Sequence, residues 1–317
     1  MRIIESTIIA SIFLLIISCN SNNNKTEKID LQKESVDKTQ KNYVNISASD
    51  DSYELVMYWA KYFKQKYPDV ILNIQKSDTF IDNNNNIIIT TNYPENYDKL
   101  WHINIAKDII IPIINSNNPF IQKLVFQGIK PEELYSLLFT GNISTWDALV
   151  DSKKGKNPVI IYRQNDMSGA TTVLRKFLHA ENDNMLGKIL NNDAEIVASV
   201  KSNIFGLGFC SFNLAYTSNG KYKTSDIYVL PFDINSNGIA DDDELVFDRR
   251  DILLDAYKKG KYPVELTRFT RVFMKSKPEN EATLNFIYWL LGEGQNYLEQ
   301  FGLIPLSIEE IEIAKKF

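Results

Sequence analysis

The chain has 317 residues, enough to bury a sizeable hydrophobic core and to form one or two domains of ordinary size. Its 40 Asp and Glu residues outnumber its 35 Lys and Arg residues, and no stretch concentrates positive charge. A general nucleic-acid binder needs a dense Lys/Arg surface to release counterions from phosphates, so this composition argues against nucleic acid as a partner.

The N-terminus has the pattern of an export signal. Arg2 is followed by an apolar run over residues 8–17 and, shortly after it, by Cys19. The run is short for a membrane span, and a basic residue before a short apolar segment is typical of a signal peptide. The stretch "IISC" resembles the bacterial lipobox, which predicts that residues 1–18 are a cleaved signal and that Cys19 is lipidated. An uncleaved N-terminal anchor is the alternative.

Residues 19–42 contain few large apolar side chains and cannot bury enough surface to offset the entropy of the chain. We therefore expect a flexible tether between the lipid and the folded part. Cys210 is the second of the two cysteines, so lipidation of Cys19 excludes an intrachain disulfide and leaves a buried thiol. The sequence predicts a protein anchored to a bacterial membrane on the periplasmic or cell-surface face.

From residue 43 onward, apolar runs of strand length alternate with amphipathic stretches. The pattern predicts strands over 43–49, 70–75, 85–91, 109–115, 158–164, 204–212, 227–233 and 269–275. It predicts helices over 53–68, 131–139, 170–180, 249–260 and 280–302. Irregular spacing of the strands indicates an α/β fold with mixed sheets and flanking helices.

The stretch "RQNDMSGATTVLRKFL" begins at Arg163, where a predicted strand ends, and passes through a polar loop into a helix. The Ser168 and Thr171 hydroxyls, free backbone amides at the helix start and the Arg163 guanidinium could converge on a small oxyanion. The alternative is an ordinary serine-capped helix with an arginine on the surface.

A second polar turn, "SDDS" at 49–52, joins a predicted strand to a long helix. It could form another ligand-binding loop. Alternatively, Asp50 or Asp51 caps the helix and complements its dipole. Two carboxylates at this place would also repel a dianion.

The stretch "DINSNGIADDDE" at 233–244 has the pattern of an EF-hand-like calcium loop. Calcium takes six to eight oxygen ligands, which such a loop supplies from positions 1, 3, 5, 7, 9 and 12, with glycine at position 6. These positions hold Asp233, Asn235, Asn237, the Ile239 carbonyl, Asp241 and Glu244, with Gly238 at the turn. The alternative is an acidic surface turn. A strand-like segment precedes the loop, so we expect a structural ion and not a sensor whose helices open.

The sequence gives little support to an enzyme. Its two histidines, His102 and His179, have no metal-ligand spacing and stand beside no nucleophile motif. We therefore expect no catalysis and no catalytic residues.

Taken together, the segments of residues 44–306 resemble the phosphate-binding lipoproteins of phosphate ABC importers, within the two-lobed periplasmic binding proteins. "ISASDDSYELVMYWAKYF" resembles the family's Ser-Gly-Ser-Asp turn, and "IKPEELYSLLFTGNISTWDAL" its Phe-x-Gly-x-Ile-x-x-Trp segment. "RQNDMSGATTVLRKFL" is similar to its Arg-then-Ser-Gly-Thr anion loop. "GLGFCSFNLAY", "VLPFDINSNGIADDDE" and the last segment, from "GKYPVELTRF" to "FGLIPL", resemble its later strands and final helices.

This resemblance implies a type II binding-protein fold with mixed sheets and a two-strand hinge. Lobe one would comprise 43–110 and 270–317, and lobe two 111–269. It also implies a monomer that binds phosphate or a similar oxyanion between the lobes and delivers it to a membrane permease. The implied ligand-binding residues are Ser49, Asp50, Asp51, Arg163, Ser168, Gly169, Ala170 and Thr171.

The chain also departs from the family's pattern. No Ser-Gly pair follows the second strand, so the second anion loop is missing, and Asn86 and Ile87 stand where the family carries an acceptor aspartate. Asp51 takes the place of a hydroxyl residue, and Ala170 that of a threonine, with one extra residue between Arg163 and Ser168. A ligand-less surface interaction or scaffold lipoprotein stabilised by calcium is therefore the second hypothesis. Binding of another oxyanion, such as tungstate or sulfate, is a third.

Overall fold

The computed structural model describes residues 42–80, 86–151, 155–217, 223–242, 244–247 and 249–316. The predicted signal peptide, Cys19 and nearly all of the predicted tether lie outside these residues. Residues 42–317 form one compact unit.

The strands are β1 Tyr43–Ala48, β2 Ile71–Lys76, β3 Asn86–Thr90, β4 Trp101–Asn115, β5 Ile160–Arg163, β6 Lys188–Ile189, β7 Gly206–Ser211, β8 Ile227–Val229 and β9 Thr267–Met274. The helices are α1 Tyr53–Lys66, α2 Ile121–Gln127, α3 Pro131–Tyr135, α4 Trp146–Asp151, α5 Gly169–Phe177, α6 Asp193–Ser202, α7 Phe212–Ala215, α8 Arg250–Lys258, α9 Glu281–Leu291 and α10 Ile308–Ala314. Single helical turns of 3-10 or π type lie at Tyr97–Lys99, Ser136–Thr140, Val264–Leu266, Glu293–Tyr297 and Glu299–Phe301.

Within the described part of the chain these strands form a nine-stranded mixed sheet in the order β2-β1-β3-β9-β4-β7-β5-β6, with β8 paired to β4. The outer strands pair in parallel on both sides, and the central pairs β3-β9, β9-β4 and β4-β7 are antiparallel. Strand β4 is long enough to serve both halves: Trp101–Ile109 pairs with β9, and Ile110–Ile114 pairs with β7. The predicted α/β class with a mixed sheet is confirmed.

Two hydrophobic cores lie on either side of this central region. The first is built around Trp59, Phe63 and Phe286, and the second around Trp146 and Phe209. We call the two parts lobe one and lobe two, after their cores. The isoleucines of β4 enter both cores, since its first half packs into lobe one and its second half into lobe two. The residue limits given above for the two lobes stay a prediction.

The single helix expected over 280–302 is wrong. Helix α9 ends at Leu291, where Gly292 leaves helical geometry with φ −113° and ψ −101°, and 3-10 turns follow. The buried side chain of Gln295 holds this segment against lobe one: its amide donates to the Ile105 and Leu290 carbonyls at 2.9 and 2.8 Å. Its oxygen accepts from the Leu306 amide at 2.9 Å. These bonds hold the segment after α9 in place, and the one to Ile105 ties it to β4.

Three other differences affect the site or the sheet. Strand β4 begins at Trp101 and is twice as long as the strand expected over 109–115. Strand β8 ends at Val229, short of the expected residue 233. Helix α6, which the sequence pattern did not predict, turns out to border the site described below.

A search of the described residues for a helix with the length and apolar character needed to cross a membrane finds none.

Candidate functional site

The turn between β1 and α1 is held by its serines. Ser49 and Ser52 are buried, the Ser49 hydroxyl donates to the Ser52 oxygen at 3.0 Å, and the Ser49 carbonyl accepts from the Ser52 and Tyr53 amides. Helix α1 has no side-chain cap, so the interpretation of Asp50 or Asp51 as its cap is wrong. Both carboxylates instead point away from the helix start, toward other elements.

Asp50 and Asp51 face different partners. The Asp50 carboxylate pairs with Lys76 on β2 and accepts from the Asn192 side-chain amide at 3.0 Å, just before α6. The Asp51 Oδ2 lies 3.9 Å from Nη1 of Arg268 on β9, and no hydrogen bond to a described residue engages its carboxyl group. The first predicted loop therefore reaches lobe two through Asp50 and the central strands through Asp51.

The second predicted loop has a serine cap. The Ser168 oxygen accepts from the Thr171 amide at 3.1 Å, and the Thr171 hydroxyl donates to the Gln164 carbonyl at 3.1 Å. Ser168, Ala170 and Thr171 are almost fully buried. The Thr171 O–H is thus used within the loop, and the Ser168 oxygen accepts as the capping alternative predicts. The Ser168 O–H and the remaining backbone amides of the first helical turn can still donate.

Arg163 lies at the end of β5 and is buried. Its Nη1 donates to the Gln164 carbonyl at 3.0 Å and to Asp166 Oδ1 at 2.8 Å. Asp166 Oδ1 also accepts from Arg175 Nη2 at 2.9 Å, so one exposed carboxylate engages two arginines. The Arg163 Nε is buried and hydrogen-bonds to no described residue.

Gly169, at the start of α5, touches the central strands. A Cβ atom built on it would lie 2.2 Å from the Thr91 carbonyl oxygen and 2.9 Å from Arg268 Cδ. Nearby, the Tyr93 amide of lobe one donates to the Met167 carbonyl of lobe two at 2.9 Å. Only glycine permits this approach, which brings the helix start against both Thr91 and Arg268.

A charge cluster that the sequence did not predict lies beside this contact. It comprises Arg268 with three carboxylates, those of Asp51, Asp108 and Asp193. Arg268 Nη2 donates to Asp108 Oδ2 at 2.5 Å and to Asp193 Oδ2 at 2.9 Å. Asp108 on β4 is the cross-strand neighbour of Arg268 on β9, whereas Asp193 is the first residue of α6.

Other donors complete the bonding of the two inner carboxylates. Asp108 Oδ1 accepts from the Ser211 hydroxyl at 3.0 Å and the Ile109 amide at 2.7 Å. Asp193 accepts from the Gln164 side-chain amide at 2.6 Å and the Ser211 amide at 3.0 Å. Gln164 thereby joins the Arg163 loop to the charge cluster.

Burial and charge shift the protonation of the cluster. Burial raises the pKa of Asp51 to about 6, and the negative charge of Asp193 adds to this effect, while Arg268 opposes it. Burial also raises the pKa of Asp108 against the influence of Arg268. Burial disfavours the charge on Arg268, but the neighbouring carboxylates outweigh this, so its pKa is raised and it stays protonated.

A cavity of about 290 Å³ opens at the cluster. Its wall includes Thr91, Asn192 and Thr270 together with the four cluster residues. Arg268 Nε and Nη1 and the Thr91 hydroxyl are buried, and none of them hydrogen-bonds to any residue that the structure describes. Buried donors are rarely left unpaired, so we expect a ligand with several acceptor oxygens to bind here.

A larger cavity, of about 970 Å³, lies beside the 233–244 loop and is lined by Ile234, Tyr262 and Val264, among others. It is more open and contains no comparable set of unpaired buried donors among the described residues. We therefore assign the ligand to the smaller cavity.

The 233–244 loop folds around its first aspartate. Asp233 is fully buried, and its two oxygens accept from the Asn237 and Gly238 amides at 3.1 and 2.8 Å. Glu244 reaches back to accept from the Ile234 amide at 2.6 Å and the Asp241 amide at 2.9 Å. The loop thus closes on itself, with its first and twelfth positions bonded to its backbone.

The donor set of this loop fits calcium by type. Asp241 Oδ2 accepts from the side-chain amides of Asn235 and Asn237, both at 2.9 Å, so these groups already meet at one point. A cation there would require both amides to turn their oxygens inward. Among the described residues no three His, Cys, Asp or Glu side chains are grouped to hold a metal, so a calcium ion would depend on amide and carbonyl oxygens as well. The strand β8 precedes the loop, as expected for a structural site.

The chain matches a known protein family. Residues 91–293 match the family described as PBP superfamily domain. The chain belongs to this family. Members of the PBP superfamily are solute-binding receptors and not enzymes. A comparison with curated proteins finds no match.

Several solved structures share the fold. One from Clostridium perfringens, described as a phosphate ABC transporter substrate-binding protein with bound phosphate, is 21% identical and has a TM-score of 0.58, covering 84% of this chain and 100% of that one. An ABC-type phosphate transport receptor from Vibrio cholerae is 16% identical, with a TM-score of 0.55 and coverage of 83% and 100%. A possible phosphate binding protein from Planctomyces limnophilus is 17% identical, with a TM-score of 0.51 and coverage of 86% and 96%.

The structure brings only some of the ligand-binding residues predicted from the sequence to the cavity. Asp50 and Asp51 line the cavity, and Gly169 packs against two of its lining residues, Thr91 and Arg268. The other predicted ligand-binding residues do not line it: Ser49, Arg163, Ser168, Ala170 and Thr171. Arg268, Asp108 and Asp193 were missed. A capping signal could have located Asp193: Asn192 caps α6 and Glu195 follows three residues later. No local signal marks Arg268, whose carboxylate partners are 75 and 160 residues away.

Proposed function

We propose that this chain is a transport receptor that binds inorganic phosphate, or a similar small oxyanion, between its lobes and delivers it to the permease of an ABC importer. The observation that carries the proposal is the group of unpaired buried donors at the 290 Å³ cavity: Arg268 Nε and Nη1 and the Thr91 hydroxyl. An oxyanion supplies several acceptor oxygens to such donors at once.

The start of α5 supports the same ligand. Gly169, its first residue, packs against Thr91 and Arg268, and a helix N-terminus favours negative charge. The relatives from Clostridium perfringens and Vibrio cholerae are described as phosphate receptors, which supports phosphate as the first anion to test. The cavity is also small, as expected for an inorganic ion and unlike the sites of larger organic solutes.

The carboxylates of the charge cluster oppose anion binding. Hydrogen bonds from Arg268 and other donors satisfy Asp108 and Asp193, but the single guanidinium balances only one of their two negative charges. Asp51 is not compensated in this way. The charge of Asp51 is consistent with the second hypothesis, in which the chain has lost its ligand and acts as a surface scaffold.

Calorimetric titration of the purified protein with phosphate separates the two hypotheses. We expect a dissociation constant in the micromolar range or tighter at pH 6. Thr91→Val removes one hydroxyl donor to the anion and should weaken binding at least about tenfold, because a hydrogen bond to a charged group contributes about 1.5–3 kcal/mol. Thr79→Val, which changes an exposed threonine, is the control. No binding of phosphate, sulfate or tungstate below millimolar concentration would favour the scaffold.

The membrane anchor is a further part of the proposal. Lipidation of Cys19, with residues 19–42 as a spacer, would hold a monomeric receptor near its permease on the periplasmic or cell-surface face. Cys19→Ser should move the protein from the membrane fraction to the soluble fraction without changing phosphate affinity. A variant that remains in the membrane fraction would support the uncleaved anchor instead.

We also propose that the 233–244 loop binds calcium as a structural ion. The buried Asp233 carboxylate, the two asparagine amides that meet at Asp241 and the returning Glu244 side chain support this assignment. The loop would stabilise lobe two and take no part in anion binding.

A further inference from the structure

The charge cluster contains more negative than positive charge. One guanidinium, that of Arg268, faces three carboxylates, and two of these are hydrogen-bonded to it. The third, Asp51, lies 3.9 Å from Arg268 Nη1, too far for a hydrogen bond. Asp51 is therefore the one carboxyl group of the cluster that remains available to a ligand.

The surroundings of Asp51 are mostly acidic. Asp50 in its own turn, Asp108 on β4 and Asp193 on α6 act on it with negative charge, and Arg268 on β9 is the opposing positive group. Glu54 on α1 also lines the cavity, and Lys76 on β2 pairs with Asp50 and not with Asp51. A further negative charge in the cavity would meet an unfavourable field unless a proton enters with it.

An oxyanion in this cavity would contact Asp51. An anion that accepts hydrogen bonds from Arg268 Nη1 lies beside the nearest carboxylate oxygen of Asp51, because these two atoms are only 3.9 Å apart. Two ionised oxygens in contact repel each other, whereas a carboxylic acid donates its O–H to the anion in a short, strong bond. The protonated acid converts the repulsion into a hydrogen bond.

We propose that Asp51 binds the anion in its protonated form, as an O–H donor, so that each anion bound at neutral pH takes up one proton from solvent. The inference rests on the proposed function and adds two properties to it: a coupling between anion and proton, and a ligand class. A carboxylic acid donor requires no proton on the ligand. The site therefore accepts fully ionised oxyanions and binds both sulfate and phosphate.

The unliganded site is already close to this state. Burial, followed by the charge of Asp193, raises the pKa of Asp51 to about 6 against the effect of Arg268. A bound anion would raise this pKa further, because it disfavours the carboxylate. The affinity should then fall about tenfold for each pH unit above about 6, where the free protein must first take up the proton.

Sulfate is the probe for the test because it has no group that titrates between pH 5 and 8. We expect its dissociation constant in calorimetric titrations to level off below pH 6 and to rise about tenfold per unit above it. Titrations at pH 8 in two buffers of different protonation enthalpy should show an uptake of about one proton per sulfate.

Two variants test whether Asp51 causes the pH dependence of sulfate binding. Asp51→Asn keeps the shape and a donor group but cannot titrate, so it should bind sulfate with a constant affinity across this range and take up no proton. Glu309→Gln removes an exposed charge away from the cavity and should retain the pH dependence. Unfolding curves of both variants establish that they are folded.

Two results would overturn the inference and leave the proposed function standing. One is sulfate binding that does not depend on pH in the parent protein. The other is a parent that binds phosphate but not sulfate, together with loss of phosphate binding in Asp51→Asn, which would make Asp51 an acceptor. Failure of the parent to bind either anion at any pH would instead overturn the proposed function itself.

Discussion

The guanidinium of Arg268 bonds directly to Asp193, with Nη2 donating to Oδ2 at 2.9 Å, and this bond joins a central strand to the first residue of α6. The same nitrogen donates to Asp108 on the neighbouring strand. All three side chains are almost fully buried. Removing the arginine would leave two buried carboxylates without their counter-charge.

Arg268→Met should therefore lower the free energy of unfolding by about 3–5 kcal/mol at neutral pH, as expected when one partner of a buried ion pair is lost. Urea unfolding followed by circular dichroism measures this change. Lys259→Met removes one partner of an exposed pair, that with Asp255, and should cost at most about 1 kcal/mol. Similar losses in the two variants would mean that the buried cluster stabilises the fold no more than an exposed ion pair does.

Asp51 should make the stability of the unliganded protein depend on pH. Its pKa is about 6 in the folded state, against an ordinary value of 3.8, so between these values the folded state holds a proton that the unfolded state has lost. The contribution of Asp51 is thus favourable at low pH and declines as the pH rises toward 6.

Asp51→Asn removes this dependence. The variant and the parent should be nearly equally stable near pH 4. Above pH 6 the variant should be more stable by about 1–2 kcal/mol, since one pKa unit corresponds to about 1.4 kcal/mol and solvent reaching the Asp51 side chain weakens the effect. Urea unfolding at pH 4, 5, 6 and 7.5 measures the difference, with the exposed Glu54→Gln as control. A difference that stays constant with pH would show that Asp51 has the same pKa in both states.

Much of the fold follows from local pattern. Apolar runs of strand length predict β1, β3, β7 and β9, and the amphipathic stretch after residue 52 predicts α1 to within two residues. The serine cap of α5 was also foreseen from Ser168 and the apolar residues that follow it. Such features depend on neighbours in sequence, which is why the residues alone indicate them.

The cluster at the site depends on distant neighbours. Arg268 lies in "LTRFTRVF", a stretch whose pattern predicts an ordinary strand. Nothing nearby in the sequence indicates that Asp108 and Asp193 are the partners of Arg268. The break of α9 differs, because Gly292 is itself a local signal that a helix ends, and the bonds of Gln295 to lobe one hold the segment that follows. Tertiary contacts determine the charge cluster, whereas local propensity marks the end of α9.

Gly169→Ala tests whether contact between the lobes matters for binding. An added Cβ would collide with the Thr91 carbonyl oxygen at 2.2 Å, although an alanine at this position suits the helix itself. The lobes should therefore be held apart while each lobe stays folded. We expect phosphate affinity to fall at least tenfold, and small-angle X-ray scattering to show a larger radius of gyration.

Lys176→Ala, on the exposed side of the same helix, is the control and should leave both quantities unchanged. If Gly169→Ala binds phosphate as well as the parent does, the approach of α5 to Thr91 is not required for the bound state.

The calcium loop offers the last prediction. Glu244, at the twelfth position, bonds to the Ile234 and Asp241 amides and so closes the loop. If calcium replaces these contacts, millimolar calcium should raise the melting temperature of the parent by about 5 °C relative to a chelator, because a ligand bound only by the folded state stabilises it. Differential scanning calorimetry measures the shift.

Glu244→Ala should abolish this shift without altering phosphate affinity, since the loop lies apart from the residues that line the anion cavity. Asp242→Ala removes a charge from the same loop at its tenth position, which supplies no ligand in an EF-hand-like loop, and should retain most of the shift. An equal melting temperature of the parent in calcium and in chelator would make the stretch an acidic surface turn, because its backbone bonds to Asp233 and Glu244 already close it without an ion.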